Sequence, residues 1–172
     1  PGVGTDIVPT DCLAAMLKER LPAATRIDLA FSFGTSPIIG TVKTSIESVG
    51  KGGLIREGGR LKTVPNAYRM KKIPFQNQPQ WAVTIPWGDV FTSGISTGVP
   101  DGMVYMAMTK LIIYMLRLSN PFKGIMNTRF GQDLGKSLVS KFIKKGPDEQ
   151  ARETQLGQFW GGAEAPGGDK VE

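Results

Sequence analysis

No histidine occurs among the 172 residues, and cysteine occurs once, at Cys12. The first absence removes Ser-His-Asp and Cys-His catalysis from this chain, together with any imidazole-containing metal site. The second removes an internal disulfide framework and a multi-thiolate zinc site, and it fits a reducing, cytoplasmic setting. Long apolar runs are missing too. The most lipid-like stretch, Met103 to Leu118, is 16 residues long and holds Lys110, short of the ~20 apolar residues a spanning helix needs. Chemistry inside the chain is restricted to carboxylates, lysine, tyrosine or a bound cofactor; no metal site is expected.

What is present describes a globular domain. Hydrophobic residues make up 40% and charged residues 21%, enough to build a core and too little charge for disorder. A chain of this length suits a single domain over residues 1–172, and its opening at Pro1 and close at Lys170-Val-Glu172 read as an incomplete piece of a larger protein. The formal net charge of +6 is unevenly spread. Residues 51–80 hold seven Lys/Arg and one Glu, and residues 121–145 hold six Lys/Arg and one Asp. Two basic zones of this kind meet an anion or simply form solvated faces.

Along the chain, residues 9–21 read as a helix, with Cys12, Leu13, Met16 and Leu17 at helical spacing and Pro22 beyond the end. Thr5 or Asp6 would cap it. Residues 26–33 alternate: Ile27, Leu29, Phe31 and Phe33 face one way, and Arg26, Asp28 and Ser32 the other. That pattern predicts a half-buried strand. Ser36-Pro37 opens a second helix with the stripe Ile38, Ile39, Val42, Ile46, Val49. Residues 53–64 predict a hairpin turned at Glu57-Gly-Gly59. Strands follow at 69–75 and 80–85, then a short helix after Pro86-Trp-Gly-Asp89. Residues 103–109 are apolar on both faces, as in a central strand. Thr109 stands where a cap would, before a helix over 111–118 that is apolar nearly all round and belongs in a core or against a partner or membrane. Residues 129–145 read as a basic amphipathic helix, 148–153 as a short acidic one, and 155–163 as a strand. This order is α+β: an open, mixed, largely antiparallel sheet with helices mainly on one face.

Several short patterns fail on spacing. Gly2-Val-Gly4 begins like a dinucleotide fingerprint, but Ile7 stands where the third glycine belongs. Gly135-Lys-Ser137 ends like a phosphate loop, but Phe130 replaces the first glycine. Trp87-Gly-Asp89 is more informative, since an aromatic, a permissive glycine and a carboxylate sit together at a strand end, where ligand sites often lie. Trp87 equally suits the edge of a core and Asp89 a helix cap. Asp6 and Asp11 carry the same double reading, as caps or as polar groups aimed into a cleft.

Four stretches in order carry a resemblance: Gly2-Val-Gly-Thr-Asp-Ile-Val-Pro-Thr-Asp-Cys-Leu13, Gly40-Thr-Val-Lys-Thr44, Ile85-Pro-Trp-Gly-Asp89 and Gly146-Pro-Asp-Glu-Gln-Ala-Arg152. With them the chain resembles the saccharopine dehydrogenase-like proteins, in particular the branch called trans-acting enoyl reductases. The resemblance covers the second, substrate-side domain of that family. It implies a preceding N-terminal Rossmann domain, not part of these residues, that holds NAD(P) and delivers hydride. It implies that Gly2, Gly4, Thr5 and Asp6 form the crossing from that domain and lie near the nicotinamide. It implies that Thr10, Asp11, Lys43, Thr44, Trp87 and Asp89 line the substrate cleft. The histidine that follows the entry segment in true saccharopine reductases has no counterpart here, which points from saccharopine towards an enoyl or lipid-type substrate. The expected partners are the nucleotide-binding domain, a small-molecule or acyl substrate, and a second copy forming a homodimer.

Two other functions compete. A binding module would use the basic zones 51–72 and 123–145 for nucleic acid or acidic lipid. Apart from Phe130 and Phe142, which belong to the apolar stripe of helix 129–145, only Tyr68 lies among these charges to stack on bases, with Phe75 beside the first zone, so nucleic acid ranks below the oxidoreductase reading. A structural role would use helix 111–118 for dimerisation, or for peripheral membrane contact.

Overall fold

A computed structural model describes residues 8–33, 50–76, 78–126, 128, 131, 133 and 157–172. Eight strands within them join in one open mixed sheet: β1 (Arg26–Ser32), β2 (Gly53–Glu57), β3 (Arg60–Val64), β4 (Met70–Pro74), β5 (Pro79–Thr84), β6 (Asp101–Ala107), β7 (Gln158–Glu164) and β8 (Lys170–Val171). The helices are α1 (Val8–Arg20), α2 (Asp89–Thr97), α3 (Lys110–Leu118) and α4 (Lys123–Met126), with a 3-10 turn at Asn120–Phe122 before α4. The expected helices over 36–49 and 148–153, and nearly all of 129–145, lie outside the described residues. No described helix is long and apolar enough to cross a membrane.

The sheet is built around β6. On one side β6 pairs in parallel with β1, from Arg26↔Asp101 to Phe31↔Met106. Its other side is shared: β2 meets it at Arg56↔Gly102, and β5 pairs with its far end through Ala82↔Ala107, Val83↔Met106 and Thr84↔Tyr105. The remaining pairings are antiparallel: β1 with β7, β2 with β3, β4 with β5, and β7 with β8. The β2–β3 turn falls at Gly58 and Gly59, both with positive φ, as the tight turn at this place in the sequence requires.

One face of the sheet carries Ile27, Leu29, Phe31 and Val104, and α1 and α2 cover it with Ala14, Leu17 and Val90. The expected stripe of α1 is rotated. Ala14 and Leu17 are buried, but Met16 and Cys12 are exposed. The cause lies in the partner strand: an added Cβ at Gly161 of β7 would come within 2.7 Å of Leu17 and 3.0 Å of Leu13. The bare glycine lets Leu13 and Leu17 sit directly on the strand, and this close approach selects the face.

The second face is not open to solvent either. Asp28 and Ser32 are 9% and 2% exposed, so β1 is buried on both sides, against the expectation of a half-buried strand. Ala30, Ile55, Ile73, Phe75, Met103, Tyr105 and Trp160 form a second apolar cluster on this side. β1 is central, flanked by β6 and β7, and a central strand has little water on either face.

Candidate functional site

The short connection Leu21–Thr25 turns α1 back across the sheet, so the start of α1 lies over the far end of β1. The chain leaves β5 at Thr84, opposite Tyr105 in the middle of β6, passes Ile85-Pro-Trp-Gly88 and enters α2. Gly88 occupies the N-cap position and makes no side-chain cap bond. Asp89 is therefore the first residue of the helix and not its cap, as the cap alternative had it.

Asp89 is fully buried, as is Thr10. The Thr10 hydroxyl Oγ1 donates a short hydrogen bond to Asp89 Oδ1. One position on, Asp11 Oδ2 accepts from Ser96 Oγ at 2.6 Å. Asp89, Ser93 and Ser96 recur at i, i+4 and i+7, which puts them on one side of α2, and Ser93 Oγ donates to the Asp89 carbonyl. Asp11 Oδ1 is buried and has no hydrogen-bond partner among the described residues.

An aromatic wall stands beside this polar seam. The Trp87 ring lies 5.4 Å from Phe31, Phe31 lies 5.1 Å from Phe33, and Phe33 meets Phe159 edge-on at 6.2 Å. Phe33 remains 37% exposed, and Trp87 is half-buried. Trp87 packs against the cluster of Leu29, Phe31 and Val90, so it borders the core and keeps a face outward.

Of the residues singled out in the sequence, Thr10, Asp11 and Asp89 thus gather where α1 meets α2, and Trp87 adjoins them through Gly88. Lys43, Thr44, Gly2, Gly4, Thr5 and Asp6 lie outside the described residues. Sequence reasoning did not single out Ser93, Ser96, Phe31, Phe33 or Phe159 as site residues. The alternation of β1 placed Phe31 and Phe33 together, but nothing local said that Trp87 would join them.

A second polar group also went unnoticed. On the face away from α1 and α2, Arg26 Nε donates to Asp28 Oδ1 at 3.1 Å. Burial works against the Arg26 charge, yet Asp28 and the Tyr105 hydroxyl outweigh it and hold the guanidinium pKa above its ordinary value. Burial, reinforced by the Asp28 charge, pushes the Tyr105 hydroxyl up to about 12. Lys71 sits 4.5 Å over the Trp160 ring. A pocket of about 60 Å³ lies among Arg26, Asp28, Lys71, Trp160, Glu164 and Lys170. It is far below the roughly 300 Å³ at which small-molecule sites begin, so these charges hold the sheet face together and do not enclose a ligand. Among the described residues no three His, Cys, Asp or Glu side chains gather as a metal site would need.

No protein-family model matches this chain, and no curated protein is significantly similar to it.

Proposed function

We propose that this chain is the substrate side of an NAD(P)-linked oxidoreductase of the saccharopine dehydrogenase-like kind, and that an enoyl or lipid-type acceptor takes hydride at the end of β1. The reading is supported chiefly by the hydrogen bond from Thr10 to Asp89. Two of the short stretches that carry the sequence resemblance, one opening α1 and one opening α2, meet there although 79 positions separate them. Residues shared with a family only by chance would have no reason to converge at one place.

In this arrangement the roles divide by chemistry. Thr10 fixes the Asp89 carboxylate and so locks the start of α2 against α1. Asp11 turns one oxygen to Ser96 and so steadies α1 against α2 beside the aromatic wall. Phe33, Trp87 and Phe159, backed by the buried Phe31, offer an apolar wall to an acyl chain, and their exclusion of water strengthens the polar contacts beside them.

The described residues do not fit a dinucleotide pyrophosphate. No glycine-rich strand-to-helix turn is present among them. At the start of α2, where backbone N–H groups would favour an anion, the buried Asp89 carboxylate already stands. In this proposal nucleotide binding falls to a separate domain, and no step of hydride delivery is assigned to this chain. The proposal places the protein in the cytoplasm, where its single free thiol stays reduced.

Tryptophan fluorescence during titration with a medium-chain enoyl thioester tests the substrate role. Micromolar binding is expected, with loss of most affinity in Trp87→Ala and Asp11→Ala. Binding that both variants leave unchanged would remove the site. Calorimetry with NADH and NADPH tests the division of labour: micromolar binding to this chain alone would contradict it.

A further inference from the structure

Helix α3 turns its apolar side outward. Ile113 alone is buried; it packs with Ala67 and Val83, and Leu116, Met70, Trp81 and Met108 edge the contact. At about 3.6 residues per turn, Leu111, Met115 and Leu118 fall on the side opposite Ile113. They are 70%, 62% and 70% exposed, and Ile112, Tyr114 and Phe122 extend the strip on either hand. A surface helix normally buries such a stripe and shows its polar side. Single exposed apolar residues need no explanation, but a contiguous strip of this kind marks an interaction surface.

The segments that build the strip and its support carry charge of one sign. No Asp or Glu occurs between Glu57 and Asp89, nor between Asp101 and Asp133. These two stretches supply both α3 and the elements beneath it. Lys110 lies 4.8 Å over Trp81, Arg117 Nε donates to the Ala67 carbonyl at 3.1 Å, and Lys123 follows Phe122 directly. A second copy docked through the same strip would bring like charges together, because a two-fold contact sets each patch against itself. Nucleic acid would meet aliphatic side chains where it needs cations. An anionic bilayer answers both features: aliphatic side chains enter the acyl boundary, Tyr114 and Phe122 suit the headgroup level, and Lys and Arg meet phosphates. Nine residues span roughly 14 Å, about half the hydrocarbon thickness, so the helix would lie in the membrane plane.

We propose that α3 docks this protein on an anionic lipid surface, with Leu111, Met115 and Leu118 in the acyl boundary and Lys110, Arg117 and Lys123 at the headgroups. Co-sedimentation of the full chain with phosphatidylcholine vesicles, with and without phosphatidylglycerol, is the test. Binding should be roughly tenfold or more tighter with phosphatidylglycerol at low salt, and Lys110→Gln/Lys123→Gln should erase most of that preference. Met115→Asp should abolish sedimentation while melting like the parent, since the side chain is exposed; Leu111→Gln/Leu118→Gln gives the same readout should Met115→Asp fail to fold. Equal binding to both vesicle types, or no binding to either, overturns the proposal. So does a concentration-dependent dimer, seen by light scattering, that Met115→Asp dissociates, since the occupant would then be a second copy.

Discussion

Thr10 and Asp89 share a buried hydrogen bond that joins the first turn of α1 to the first residue of α2. Both side chains are fully removed from solvent. Thr10→Val keeps the shape and deletes the donor, leaving a buried carboxylate with one bond fewer. The expected loss is about 1–3 kcal/mol, read from urea denaturation. Thr10→Ser should recover most of it; equal damage from both would place the effect in packing instead.

Gly161 sets how close α1 comes to β7. Its added Cβ would stand 2.7 Å from Leu17, so Gly161→Ala should cost about 1–3 kcal/mol by overpacking. Gly161→Ala in a Leu17→Ala background should be less harmful than the sum of the two changes, because the smaller side chain vacates the contested space. Thermal melting of the four proteins measures the coupling.

Arg56 lies across α2. Its guanidinium donates to the carbonyls of Val90 at 3.1 Å, Phe91 at 2.9 Å and Gly59 at 3.3 Å. A Cβ on Gly94 would fall 2.0 Å from its central carbon. Alanine in place of glycine usually favours a helix by about 1 kcal/mol, but here it evicts a side chain making three bonds. Gly94→Ala is therefore expected to destabilise the parent protein. In an Arg56→Met background its sign should reverse, to a gain of about 0.5–1 kcal/mol. Chemical denaturation of the double-mutant cycle decides it.

Tyr105 gives the fold an alkaline limit. Burial, with Asp28 adding to it, raises its pKa from 10.0 to about 12. Below the unfolded value both states hold the proton and stability is constant. As pH climbs from 10.0 towards about 12 the unfolded chain ionises first, so stability falls. The urea midpoint of the parent should decline through this window, and that of Tyr105→Phe should decline less. Parallel curves would show that Tyr105 ionises as readily folded as unfolded.

Much of the local structure was legible in the residues. The Gly58-Gly59 turn, the alternation of β1, the break at Pro86 and the two-sided apolar run of β6 each announce themselves within a few positions. The face that α1 buries did not, because Cys12, Leu13, Met16 and Leu17 and the pair Ala14 and Leu17 both recur at helical spacing. The outward strip of α3 was hidden for the converse reason. A helix apolar nearly all round does not say which side finds cover.

The sequence alone determined the chemistry this chain can draw on, with no imidazole and one thiol, and among the described residues it determined most elements and their order, though not the 3-10 turn and α4, where it read a connection. Backbone preferences and periodicity act over a handful of residues, so they are written locally. Only the tertiary structure decided that Thr10 would meet Asp89, that Trp87 would join Phe31, that both faces of β1 would be buried, and that Leu111, Met115 and Leu118 would face outward. Each of these depends on which distant surface arrives first and closest. That choice is made by non-local packing, down to the missing Cβ of Gly161.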